Sequence, residues 1–282
     1  MLLICDSGST KADWKLSDGQ KEIDSFSTMG FNPFFHTEET VYHELKKNER
    51  MWDIAFEVKN VYFYGAGCSS PERNAIIQKG LQRVFRNAKV LVEHDILGAA
   101  IAACGDQPGI TCILGTGSNS CYYDGKNLKH LPSGFGYILG DEGSGGYLGR
   151  HLLSLFMYGL TPQDITDELT NKYGLNNEII YQKVYHEPDA NVYMASFAKV
   201  LSNHKDSEFV QKLVNQAFTN FLDIDVARYT LEVKQVSINF IGSVASNFKE
   251  NLQTLLAQRG WTMGKVTSEP IKELLQYYQN KQ

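Results

Sequence analysis

Short apolar runs along this chain alternate with stretches whose apolar residues recur every three to four positions, and the two periods predict an α/β order of elements. "LLIC", "ADWKL" and "KEIDSFS" predict three strands, the second and third joined at Asp18-Gly19, residues that tolerate the positive φ of tight hairpins. "TEETVYHELKKNER" follows with helical spacing, and "VYFYG" is a β-rich run. "NAIIQKGLQRVFRN" places Ile76, Ile77, Leu81, Val84 and Phe85 on one helical face. "KVLVEH" then predicts a strand and "ILGAAIAAC" a small-residue helix.

The order restarts with "ITCIL", "NSCYYD" and "NLKHL", three further strands with Asp124-Gly125 at the second turn, followed by the helix "YLGRHLLSLFMYGL". Thr161 as N-cap and Pro162 at the first helical position predict the next helix start. Helical spacing continues through residue 232, including Phe209, Val210, Leu213, Val214, Ala217, Phe218 and Phe221, so this region is expected to be an all-α insertion over about 161–232. The strand "VSINFIG", the helix "SNFKENLQTLLAQRG", a weak strand "GKVTS" and the helix "IKELLQYYQN" close the chain.

A βββαβα order thus occurs twice, each copy opening on a strand, a turn of glycine and hydroxyl residues, a strand and an Asp-Gly turn. "ICDSGSTKADWKLSDG" and "CILGTGSNSCYYDG" are the two openings, and their agreement predicts an internal duplication. The expected division is a first lobe at 1–106, joined by the helix at 269–282, and a second lobe at 107–268. Two such lobes would leave a cleft, where ligands preferentially bind.

Composition narrows the picture without deciding it. At 282 residues, with 43% hydrophobic and 21% charged residues, the chain has globular composition and enough length for about two domains. A net charge of −5 offers no basic stripe of the kind that nucleic acid or anionic lipid requires. Cys5, Cys68, Cys104, Cys112 and Cys121 form no C-x-x-C pair and read as buried free thiols of a reducing cytosol. "MLLICDSGST" is too short and uncharged for a signal peptide, and no 18-residue apolar run occurs. A cytoplasmic protein is the expectation, with small molecules rather than nucleic acid or membrane as partners, and a second copy of the chain as a candidate one.

The chemistry concentrates at turns. "DSGSTK" ends a buried strand on Asp6 and then offers backbone N–H groups and the hydroxyls of Ser7, Ser9 and Thr10, a set suited to phosphate oxygens. Asp6 would repel phosphate directly, but fits beside it if Mg²⁺ with its waters lies between, with Lys11 as a further counter-charge. Taken alone, the same stretch reads first as an ordinary hairpin turn with Asp6 bonding its backbone. Gly115-Thr116-Gly117-Ser118-Asn119 repeats that chemistry with less bulk, whereas no G-x-x-x-x-G-K-[ST] occurs and "GAGCSS" fails the pattern G-x-G-x-x-G. Asp95, between a strand and a helix, can be an N-cap, a general base toward a sugar hydroxyl, or both. The glycine-dense "SGFGYILGDEGSGGYLGR" lets backbone approach a ligand and supplies Asp141 and Glu142 as acceptors for sugar hydroxyls. Asn32 in "GFNPFF" and the strand-to-helix junction "FIGSVASNF" at Gly242 are weaker candidates. The histidines show no metal-ligand spacing.

Taken in order, "DSGSTK", "LGTGSN", "GFGYILGDEGS" and "IGSV" resemble N-acetylglucosamine kinases of the sugar kinase, chaperone ATPase and actin superfamily, over nearly the whole chain. The resemblance implies a duplicated actin-like ATPase fold, ribonuclease H-like in each lobe, with ATP and Mg²⁺ as cofactors. It implies a nucleotide site of Asp6, Ser7, Gly8, Ser9, Thr10, Lys11, Gly115, Thr116, Gly117, Gly242 and Ser246, with Thr10 and Thr116 on phosphates and Asp6 holding magnesium through water. Asn32, Asp95, Asn119, Gly134, Phe135, Gly136 and Asp141 would contact the sugar, with Asp95 as base, and the implied reaction is phosphorylation of an amino sugar at its 6-hydroxyl. The sequence departs from the family pattern at Ser7-Gly8-Ser9, where more glycine is usual, and at Phe135, often tryptophan. Two alternatives stand beside this reading. One is an ATPase of the dehydratase-activator type, which needs a cysteine-held iron–sulfur cluster. The other is a non-catalytic sugar sensor.

Overall fold

The structure, a computed structural model, describes residues 1–8 and 11–281. Two compact units divide the chain, Met1–Asp106 with Glu269–Gln282, and Gln107–Ser268.

The first unit is built on a five-stranded sheet of β1 (Leu2–Ser7), β2 (Lys11–Ser17), β3 (Glu22–Met29), β4 (Asn60–Gly65) and β5 (Lys89–His94), ordered β3-β2-β1-β4-β5. β1 and β2 pair antiparallel through the tight connection that glycine and hydroxyl residues permit, whereas β1, β4 and β5 run parallel because helices return the chain between them. The apolar runs of β1 and β4 are buried, and Trp14, Phe31 and Phe63 interlock with ring centroids 5.9 to 6.4 Å apart. The terminal helix Pro270–Gln279 belongs to this unit. It buries Ile271, Leu274 and Leu275, one stripe at i, i+3 and i+4. Tyr278 stacks on Tyr62 with centroids 3.9 Å apart and hydrogen-bonds the Tyr64 hydroxyl.

The second unit repeats the plan with β6 (Gly109–Leu114), β7 (Ser118–Tyr123), β8 (Leu128–Lys129), β9 (Ile238–Ile241) and β10 (Met263–Thr267). Its order, β10-β9-β6-β7-β8, is that of the first sheet read from the other edge, with the same antiparallel and parallel pairs. These are the duplicated sheets of the actin-like ATPase fold. Among the described residues no strand falls between Lys129 and Ile238. Helices fill that stretch, among them Gly145–Met157 and Glu208–Phe221, the latter burying Val210, Val214, Ala217, Phe218 and Phe221.

Local details differ from the sequence expectation where side chains compete with period. The first predicted helix is two, Glu38–Lys46 and Glu49–Ile54, because Asn48 Oδ1 accepts the Met51 N–H and starts a new helix. "NLKHL" pairs only at Leu128–Lys129. Pro162, rather than Thr161, is the cap of the helix Gln163–Asp167. The π-helical segments Glu168–Lys172, Gln182–His186 and Leu222–Val226 interrupt the helical region without a period of their own. Among the described residues no helix is long and apolar enough to cross a membrane.

Candidate functional site

Three parallel strands of the first sheet bring their carboxyl ends to one edge, the edge at which α/β sheets bind ligands. Asp6 stands near the end of β1, in register with Tyr64 on β4 and, across the antiparallel pair, with Asp13 on β2. Asp95 directly follows β5. Burial pushes the Asp6 carboxyl up to about 7, and the charges of Asp95 and then Asp13 push the same way. Two carboxyls gathered at one edge can take a cation between them and a phosphate. Among the described residues no group of three or more metal-ligating side chains occurs, so the protein by itself offers no closed cage. Asp6 fits instead the open, partly hydrated binding that magnesium adopts when phosphates complete its shell.

Asp95 is the first residue of the helix Asp95–Cys104, and the N-cap is His94, whose Nδ1 accepts the Ile96 N–H at 3.2 Å. The Asp95 carboxylate shares that role. Its Oδ1 accepts the Ile96 N–H at 2.7 Å and meets His94 Nδ1 at 2.5 Å, and about a quarter of the side chain (27%) remains exposed. Asn32, next in sequence to the core residue Phe31, is buried, and its Oδ1 takes the Phe34 N–H at 3.0 Å. Ser7 is fully buried, donating to Gly8 O and accepting the Phe31 N–H at 2.9 Å. Gly8 is exposed, and Lys11 pairs with Asp13 at 2.7 Å. Ser9 and Thr10 lie outside the described residues.

The second turn is tighter. Gly115 N–H donates to Gly117 O at 3.0 Å, and the Gly115 and Thr116 carbonyls accept from Gly145 and Gly146, the first N–H groups of the helix Gly145–Met157. That docking leaves the Thr116 side chain exposed. Gly242 has φ of +120°, and a Cβ there would overlap the Leu114 carbonyl, so the junction after β9 is open only to glycine. Gly115, Thr116 and Gly145 then form one wall of a pocket of about 480 Å³ whose other walls include Ala195, Lys199, Ser243, Asn247 and Phe248. The volume suits a nucleotide-sized ligand, within the ~300–1,000 Å³ usual for small-molecule sites. Ser246 does not line this pocket: its hydroxyl is buried and unpartnered, one residue short of the i, i+4 pair Ser243 and Asn247 that faces it.

Asp141 adopts φ of +60° and lies against the second turn, so that a Cβ on Gly117 would come within 2.8 Å of its Oδ2. Burial raises its pKa, the nearby Glu142 charge adds to this, and the N–H groups of Ser118 and Gly136 act against it. Gly134 and Gly136 flank the exposed Phe135. Asn119 is held by His130 and Ser133, at 2.9 and 2.7 Å from its Oδ1. Two residues escaped sequence reading. Asp225, buried in the π-helical segment, is pushed up to about 6 by burial and then by Glu142, with Arg228 opposing and Asp141 adding a little. A carboxylate inside the apolar "FLDIDVA" was its one visible signal. Lys199 carried none, because only folding brings its helix to the pocket that Ser243 and Asn247, both within the junction "FIGSVASNF", also line. No disulfide joins the five cysteines; Cys112 and Cys121 are fully buried, Cys104 only partly, and burial pushes the Cys68 thiol up to about 12. They gather into no cluster-binding set among the described residues.

No protein-family model and no curated protein matches the chain. Solved structures do. A proposed N-acetylglucosamine kinase from Porphyromonas gingivalis is 39% identical over 99% of both chains, with a TM-score of 0.94. A proposed N-acetylglucosamine kinase from Chromobacterium violaceum shares 16% identity over 98% of both chains, with a TM-score of 0.61. A ROK family glucokinase from Streptomyces griseus, solved with glucose and AMPPNP, shares 14% identity over 99% of this chain and 98% of its own, with a TM-score of 0.56. The last two likenesses are of fold.

Proposed function

The chain belongs to the N-acetylglucosamine kinases of the sugar kinase, chaperone ATPase and actin superfamily, and on that premise we propose that it transfers the γ-phosphoryl group of ATP to the 6-hydroxyl of N-acetylglucosamine. The observation that carries the reading is the pair Asp6 and Asp95 at the carboxyl ends of parallel strands, one carboxyl short of a cation and the other still partly exposed. A phosphoryl transfer needs little covalent help from a protein; it needs positioning, charge neutralisation and a base for the attacking hydroxyl.

In this reading Asp95 accepts the proton of the sugar hydroxyl, held in place by its contacts to His94 and the Ile96 N–H. Asp6 holds magnesium through water. When bound, that ion supplies neutralisation of the phosphoryl oxygens. Thr116 with Gly115 and Gly117 binds the phosphate tail, as would Gly8, Ser9, Thr10 and Lys11. The pocket walled by Gly145, Ser243 and Asn247 takes the nucleoside. Asn32, Asn119, the Gly134–Gly136 segment and Asp141 orient the sugar.

An ADP-release assay over a panel of amino sugars and hexoses, with identification of the phosphorylated position, tests the reading. N-acetylglucosamine 6-phosphate is the expected product. Absence of ADP release with every sugar, alongside intact nucleotide binding, would refute it.

A further inference from the structure

Asn119 lies on β7 at the end of the second turn, and its neighbours reveal which way its amide faces. The Ser120 backbone N–H, a group that can only donate, stands 2.9 Å from Asn119 Oδ1. That atom is therefore the oxygen. His130 Nε2 meets the same oxygen at 2.9 Å and Ser133 Oγ at 2.7 Å. An amide oxygen accepts and never donates, so Nε2 carries a proton and the Ser133 hydroxyl aims its hydrogen at Asn119. His130 and Ser133 also lie 3.3 Å from one another, closing a three-membered polar cluster across the strand and the loop that follows it. Three donors on the oxygen leave Nδ2 as the face of the amide turned toward Gly134, where a Cβ would stand 3.4 Å from it.

We propose that His130 and Ser133 are positioning residues that lock the Asn119 amide with its NH₂ toward the acceptor sugar, so that the site selects a hydrogen-bond acceptor, such as an acetamido carbonyl, over the ammonium of a free amino sugar. The inference rests on the amino-sugar reading of this site. Its physical basis is the asymmetry of a donor: an ammonium presented to Nδ2 offers no lone pair, and flipping the amide would set its NH₂ against the Ser120 N–H, which can only donate, and would require His130 to change tautomer and the Ser133 hydroxyl to turn. A site built around a fixed donor rejects the wrong partner more strongly than shape alone does.

Calorimetric binding of N-acetylglucosamine and of glucosamine to the full chain tests this without requiring turnover. Wild type should prefer N-acetylglucosamine. His130→Ala frees the amide and should cut that preference ~10-fold, and Ser133→Ala should cut it ~5-fold, the scale of one hydrogen bond. His130→Gln, whose amide NH₂ can donate from a similar reach, should restore most of the preference, which a merely structural role for the ring would not give. Melting temperatures identify any variant that fails to fold, and Ser133→Ala carries the test if His130→Ala does. Wild-type preference retained in both folded alanine variants overturns the positioning role and leaves the kinase reading standing. Wild type that binds neither sugar overturns both.

Discussion

The two strand-turn-strand openings share a topology and divide the chemistry. β1 and β2 leave residues 8–11 between the paired Ser7 and Ala12, whereas β6 and β7 leave only 115–117 between Leu114 and Ser118. One residue before each turn the strands differ more. Asp6 faces Asp13 across the first pair; Ile113 faces Asn119 across the second. The first turn therefore carries negative charge that asks for a cation, and the second is neutral, made of backbone N–H groups, a threonine and an amide. The same frame thus carries two carboxyls, Asp6 and Asp13, in the first opening where the second has Ile113 and Asn119, and the two differ in electrostatics. The lesson is that a repeated backbone can be specialised by the ionisable groups of one strand pair, because a buried carboxyl is costly unless it is neutralised or paired.

The comparison can be broken most sharply at Asp95. Asp95→Asn removes the proposed base and should lower kcat by ~10²–10⁴-fold while ADP affinity, read by calorimetry, stays within about twofold of wild type. Equal loss of ADP binding would move Asp95 from the chemistry to the nucleotide site.

Asp6 gives the pH signature. Its unfolded carboxyl ionises near the ordinary value of 3.8 and its folded one near 7, so between these values the folded state holds a proton that the unfolded state lacks. Stability should fall as pH rises through that interval and level off above it, by up to ~4 kcal/mol if the whole shift is expressed. Asp6→Asn should flatten the fall in urea denaturation between pH 5 and 8 and abolish the extra stabilisation that Mg²⁺ adds to ADP. No equivalent fall should be traceable to the second turn at Ile113. An unchanged slope in Asp6→Asn would show that the carboxyl is solvated.

Within the second unit, Gly242→Ala forces a Cβ onto the Leu114 carbonyl at positive φ and should cost ~2–4 kcal/mol in chemical denaturation. Gly115→Ala meets no atom within 4 Å and should leave stability within ~1 kcal/mol while weakening nucleotide binding. The smallest effect belongs to Lys11, whose exposed pairing with Asp13 contributes under ~0.5 kcal/mol. Lys11→Met should leave the melting temperature in place. A raised KM for ATP in that variant would identify the lysine as a phosphate ligand, and an unchanged KM would confine it to the hairpin.

Much of this architecture is legible in the residues themselves. The strands of both sheets follow from apolar runs and Asp-Gly turns, and the repeated βββαβα order from their sequence. The stripe Val210, Val214, Ala217, Phe218 and Phe221 foretold a buried helix face. What period could not convey were its interruptions: the new helix start set by the Asn48 side chain, and the wide π turns. Among candidate site residues, Asp6 and Asp95 stood out because a carboxylate at the end of a buried strand demands a reason. Ser7 and Ser246 could not be sorted from their neighbours, since which hydroxyl is turned inward depends on the rotation of its element.

By itself the sequence determined the periods of its elements, the repetition of one strand-turn-strand opening and the kinds of functional group available at each turn. Those are local properties, written in the order of neighbouring residues. Only the tertiary structure decided that Asp6 shares an edge with Asp95, that Asn119 is locked by His130 and Ser133, and that Lys199, Ser243 and Asn247 wall one pocket. Such pairings join residues far apart in the chain, and no local preference encodes the distance or the dielectric that gives each group its chemistry.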